Sequence, residues 1–153
     1  EIRRIVLIVA AGIRRKPLIS IHLIGDKRMR RMNREYRGKD KTTDVLSFST
    51  LDGTPIPRAA DTAFGNDWGD IFISIPQIKR QAKQYGRPYK EEFTRMLVHG
   101  ILHLAGYDHE KTADADIMMP LQERLVISTM YEIRNRPKLR KLTVRKLSTA
   151  KFS

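Results

Sequence analysis

The sequence predicts an α+β fold, a small mixed β-sheet packed with helices, and three observations lead there. Three short segments carry strand patterning, while five others carry helical periodicity or helix-start signals. They follow one another as helix, strand, helix, strand, strand and then three helices, so strands and helices do not alternate throughout. The 153 residues, 41% hydrophobic and 31% charged, suit one ordinary domain with a real core.

From the N-terminus, residues 2–12 read as a short helix, because Ile2, Ile5, Val6, Val9 and Ile13 form a helical stripe. Their β-branched content would also suit a strand. LISIHLI at 18–24 alternates as a strand does, with Gly25-Asp26 as its break and Asp26 as an N-cap. His22 falls on one face of that strand. In DKRMRRMNREY, Met29, Met32 and Tyr36 share a helical face while arginines take the others. RGKDKTTD at 37–44 has no periodicity and reads as an exposed basic loop leading into a strand, VLSFS, at 45–49. Residues 51–68 are rich in Pro, Gly, Asp and Ala and longer than a usual connection, which marks a mobile or functional loop. DIFISI at 70–75 is the third strand, and Pro76 opens a helix ending near Gly86. Residues 90–104 are amphipathic through Phe93, Met96, Leu97, Gly100, Ile101 and Leu104. The last helix runs from about Thr112 to Ile133, with Pro120 as a kink or break, and these two helices should pack on the sheet.

Residues 1–133 form one predicted domain and 134–153 a basic, flexible C-terminal tail. That tail carries eight Lys or Arg and no acid, leaving +5 of the net +13 for the rest of the chain. Leu139, Leu142, Val144 and Leu147 would also allow an amphipathic helix on a partner, but the charge favours disorder. A net charge of +13 points to a polyanionic partner. The longest apolar run, IVLIVAAGI, is closed by Arg14 and Arg15, too short to span a membrane, and no small-residue cleavage site follows it. A soluble protein with no membrane partner is expected, and the start at Glu1 suggests that a few native residues precede it. There is no cysteine, so a transition-metal site must use histidine and carboxylate.

Three of the four histidines lie in HGILHLAGYDH, residues 99–109. His99 and His103 are four apart and project from one helical face. Gly106 can end the helix abruptly and turn His109 back towards them. Three neutral imidazoles at the C-terminal end of a central helix leave one position open on a tetrahedral zinc, the mark of a catalytic site. Any one of these histidines alone would read as a packing or surface residue; three within eleven residues read as a site. The spacing also matches the histidine ladder of metzincin proteases, except that Gly100 stands where the protease has its glutamate base. Gly100 can neither activate water nor donate a proton, so peptide hydrolysis by that route is not expected. A basic protein with an open metal site suits phosphodiesters. Arg37 is the candidate phosphate clamp, with Lys39 and Lys41 adding field, although a solvated basic loop would look the same.

HGILHLAGYDH resembles the H-G-x-L-H-L-x-G-Y-D-H signature of the YbeY family of bacterial endoribonucleases and ribosomal RNA maturation factors. NREYRGKDKTTDVLSF at 33–48 and WGDIFIS at 68–74 resemble two further blocks of that family, and the resemblance covers roughly residues 18–132. It implies one α+β domain with one Zn2+ per chain on His99, His103 and His109. It also implies metal-dependent cleavage of single-stranded RNA in the cytoplasm, with a role in 16S rRNA 3′-end maturation and small ribosomal subunit quality control. Protein partners on the ribosome would follow from that role, and Arg37 matches an arginine thought important in the RNA groove. Thr42 and Ser49 replace family prolines, the N-terminus is short enough that a first edge strand should be missing, and the basic tail lies outside the pattern. The alternatives are an RNA-binding assembly factor whose metal is mainly structural and, more remotely, a small metallohydrolase acting on peptides or amides. Water and the RNA 2′-hydroxyl both stay open as nucleophile.

Overall fold

The computed structural model of the chain describes residues 1–50 and 67–135. They form α1 (Ile2–Gly12), β1 (Leu18–Ile24), α2 (Asp26–Arg37), β2 (Val45–Ser49), β3 (Asp67–Ser74), α3 (Ile75–Gln84), α4 (Tyr89–Leu104) and α5 (Thr112–Asn135). The class is α+β, as the patterning predicts. The sheet is mixed: β3 is central, parallel to β1 and antiparallel to β2.

Side chains alternate along each strand, and the register sorts them onto two faces. Ile21 pairs with Ile71, Leu23 with Ile73, and Val45 with Ile73, so one face is aliphatic. That inner face packs on α4, whose Leu97, Val98, Ile101 and Leu102 are fully buried. Ile5 and Val9 of α1, Ile78 of α3 and Met118, Leu125 and Val126 of α5 complete the same core. On the outer face, His22 pairs with Phe72, and Leu46 also pairs with Phe72. There α2 lies over a smaller cluster of Ile24, Met29 and Leu46.

Several boundaries differ from the sequence expectation. β3 begins at Asp67, because Ser49–Gly69 and Ile19–Gly69 pairings carry the ladder past Asp70. It ends at Ser74, whose Oγ accepts the Gln77 N–H at 3.4 Å, so α3 starts at Ile75 with Pro76 in its first turn. Asp26 is not the N-cap of α2; Gly25 is, and Asp26 is the first helical residue. Its carboxylate instead accepts from Arg80, Ser74 and Thr42. Pro120 does not divide the last helix, and α5 runs from Thr112 to Asn135. A proline removes one N–H donor, and Met118 and Gln122, both buried, hold the helix on either side of it. The loop read at 51–68 lies, up to residue 66, outside the described residues, as does the tail from residue 136.

Candidate metal centre

α4 is the most enclosed of the described helices, and its sequence sets how it ends. Gly106 adopts φ +98°, a conformation that side-chain-bearing residues rarely reach. The Gly106 N–H then donates to the His103 carbonyl and the Tyr107 N–H to the Leu102 carbonyl, both at 3.0 Å. These two bonds close a Schellman motif, satisfy orphaned carbonyls and reverse the chain. Next, the Asp108 carboxylate accepts the N–H groups of His109 at 2.6 Å and Glu110 at 3.2 Å, fixing the turn that carries His109.

The consequence is a three-histidine cluster. The ring centroids of His99, His103 and His109 are 4.6, 5.1 and 5.0 Å apart, and one nitrogen from each lies within 4.8 Å of the others. His99 and His103 are half-buried and His109 is exposed, so the cluster opens to solvent on the loop side. The Nε2 atoms of His99 and His103 face each other at 3.0 Å. With His99 Nδ1 donating to Gln122, that distance suits a hydrogen bond from a neutral His103 Nε2–H, or two lone pairs converging on one cation. Protonation is disfavoured: burial lowers the pKa of His99, and burial with its histidine neighbours lowers that of His103 to about 4. Both rings are therefore neutral near pH 7, which is the ligating form.

Gln122 of α5 completes the arrangement. Its Oε1 lies 2.7 Å from His99 Nδ1 and accepts that ring N–H, which leaves Nε2 free to ligate. Such a donor set, three imidazoles with one oriented from behind, fits zinc. Gln122 belongs to no motif of the sequence, and its one local signal is a polar residue on the buried stripe Met118, Gln122, Leu125, Thr129. Asp44, just before β2, also acts on His99 as a nearby negative charge.

Arg37 is exposed at the last position of α2, and its positive charge reaches both His99 and His103, lowering their pKa values. Lys39 and Lys41 are exposed in the following loop. That loop is held through its backbone, the Lys41 N–H donating to the Lys39 carbonyl at 2.8 Å and Asn33 Nδ2 to the Lys41 carbonyl at 2.8 Å. Gly100 faces away from the histidines. A Cβ built there would lie 3.0 Å from Ile71 Cγ2 and 3.1 Å from Ser47 Oγ, so α4 rests directly on the sheet at this point.

A family model described as endoribonuclease YbeY matches residues 2–129. Endoribonuclease YbeY of Myxococcus xanthus is 48% identical over 111 residues, covering 71% of this chain and 35% of that protein. The Persephonella marina protein of the same name is 46% identical over 108 residues, covering 70% and 67%. The match thus spans about a third of the first relative's length and two thirds of the second's. The solution structure of TM1509 from Thermotoga maritima superposes with a TM-score of 0.57 at 26% identity, covering 88% of this chain and 82% of that one. A match running through the sheet, α4 and most of α5 places this chain in the YbeY endoribonuclease family.

Proposed function

We propose that the chain is a zinc-dependent, single-strand-specific endoribonuclease that acts in the cytoplasm on 16S rRNA, in 3′-end maturation and quality control of the small ribosomal subunit. Residues 1–133 serve as the catalytic domain. The observation that carries the proposal is the convergence of His99, His103 and His109, with one nitrogen from each within 4.8 Å of the others. One zinc ion held by these residues would supply a Lewis acid for a phosphate oxygen. Arg37 binds the phosphate through its planar fork and offsets the charge that develops on it, while Lys39 and Lys41 draw the strand in. Gln122 holds the His99 ring in its ligating tautomer.

Replacing His103 by alanine is expected to remove both bound zinc and RNA cleavage, read by metal analysis and by single-turnover cleavage of a defined single-stranded RNA. Cleavage that survives in zinc-free His103→Ala protein would overturn the proposal. An RNA-binding assembly factor with a structural metal is favoured by one observation, the absence of a base at Gly100, whose Cβ direction points into the sheet. Arg37→Ala separates the two functions. Binding kept with cleavage lost supports the enzyme, whereas wild-type protein that binds RNA tightly without cleaving it supports the assembly factor.

A further inference from the structure

We propose that Tyr36, backed by a ladder of rings across the outer face of the sheet, is a stacking site for an unpaired RNA base next to the phosphate held by Arg37. The inference rests on the RNA reading above and adds to it the source of single-strand preference. α2 covers the outer face only in part. Met29 seals Ile24 and Leu46, but Tyr36, two turns further on, keeps 65% of its surface open. It is nevertheless held in place: its ring meets Phe48 edge-on, with centroids 5.0 Å apart and an interplanar angle of 69°. Phe48 meets Phe72 in the same way at 5.6 Å. Phe72 is stacked on His22 at 4.3 Å and 11°, and the Arg28 guanidinium lies 5.9 Å from its centroid. His22 is fixed in turn by Asp70, Nε2 to Oδ1 at 2.7 Å. The ladder runs from the open ring of Tyr36 to His22, and its inner members are partly buried.

Charge and position choose the occupant. α2 carries six Lys or Arg against two acids, and Arg28 and Arg31 have no ion-pair partner among the described residues. A rigid open aromatic among arginines suits a base with its phosphate, since bases stack on aromatic side chains while cations track the backbone. β2 is an edge strand, and its consecutive residues face opposite ways. Ser47 Oγ donates to the Gly100 carbonyl of α4 at 3.3 Å, whereas Phe48 supports Tyr36. Arg37, whose charge reaches His99 and His103, directly follows Tyr36, so a strand whose phosphate meets Arg37 brings a neighbouring base to the Tyr36 ring. A base inside a duplex cannot reach the ring without unpairing, so stacking on Tyr36 selects single strands.

The test uses the full chain loaded with zinc and a short single-stranded 2′-O-methyl RNA carrying one 2-aminopurine, scanned along the strand. At one position, wild type and Tyr36→Phe should quench 2-aminopurine on binding. Tyr36→Ala should lose that quenching and bind roughly 5- to 150-fold more weakly, the loss expected for one stacked base, while its duplex affinity and zinc content stay unchanged. Unchanged affinity and quenching in Tyr36→Ala, or an equal loss on duplex, would overturn the stacking site alone. Wild-type protein that binds no single-stranded RNA would overturn the RNA reading itself.

Discussion

At the scale of single residues, the two positions that control the histidine cluster are not histidines. Gln122 accepts the His99 Nδ1–H at 2.7 Å from a buried position on α5. Gln122→Leu keeps the size and removes the acceptor, so the ring loses its fixed tautomer. Zinc affinity is expected to fall about 10- to 100-fold, read by chelator competition, with the circular dichroism spectrum unchanged. Gly100 controls the seating of α4. An alanine gains about 1 kcal/mol in helix propensity, yet its Cβ would press on Ile71, itself fully buried, at 3.0 Å. Overpacking of that kind costs about 1–3 kcal/mol, so Gly100→Ala should lower the melting temperature. Gly100→Glu should be worse still and bring no peptidase activity, because the side chain would start out towards the sheet rather than the histidines.

Between elements, two polar clasps join what the apolar core leaves apart. Asp26 at the start of α2 takes both arms of Arg80 from α3, at 2.7 and 2.8 Å, together with the hydroxyls of Ser74 and Thr42. The Arg80 guanidinium holds the Asp26 carboxyl below its ordinary value of 3.8. Because the folded pKa is the lower one, this contribution is present above pH 3.8 and is lost as pH falls through the folded value. Asp26→Asn should therefore destabilise the protein at pH 7, by about 0.5–1 kcal/mol for so open a pair. The difference from wild type should shrink as pH falls below 3.8, as followed by urea melts across pH. The second clasp is Arg95 on α4, which forks onto Glu123 of α5 at 3.0 and 2.9 Å and reaches Glu91 and the buried Glu92. Arg95→Ala removes the fork onto Glu123 and leaves the buried Glu92 carboxylate to Arg87 and Gln81. The expected loss is about 1.5–3 kcal/mol, that of hydrogen bonds to a charged group, measurable as a shift of the urea midpoint.

For the molecule as a whole, what the sequence made readable is what local spacing encodes. Alternation located the three strands, and the spacing of His99, His103 and Gly106 foretold which rings would gather, since one helical face and one sharp stop are local properties. Choices made by distant partners were not readable. Asp26 reads as a cap until Arg80, 54 residues away, claims its carboxylate. Pro120 reads as a break until burial on both sides carries α5 through it, and Gln122 has no meaning until α5 is laid beside α4. The same geometry makes the candidate metal a fold-stabilising group. His99 and His103 come from α4, His109 from the reversed chain, and the residue orienting His99 from α5, so a zinc ion held there ties together parts of the chain that separate on unfolding. Binding to the folded state alone adds about 2.7 kcal/mol at a free zinc concentration 100 times Kd. For a domain of this size that raises the melting temperature by roughly 5–10 °C. The increase should be reversed by chelator and be absent from His103→Ala. Gln122→Leu should need correspondingly more zinc to reach the same temperature, because its defect is in affinity and not in the fold. A melting temperature indifferent to zinc in the wild type would mean that the three histidines do not hold the ion.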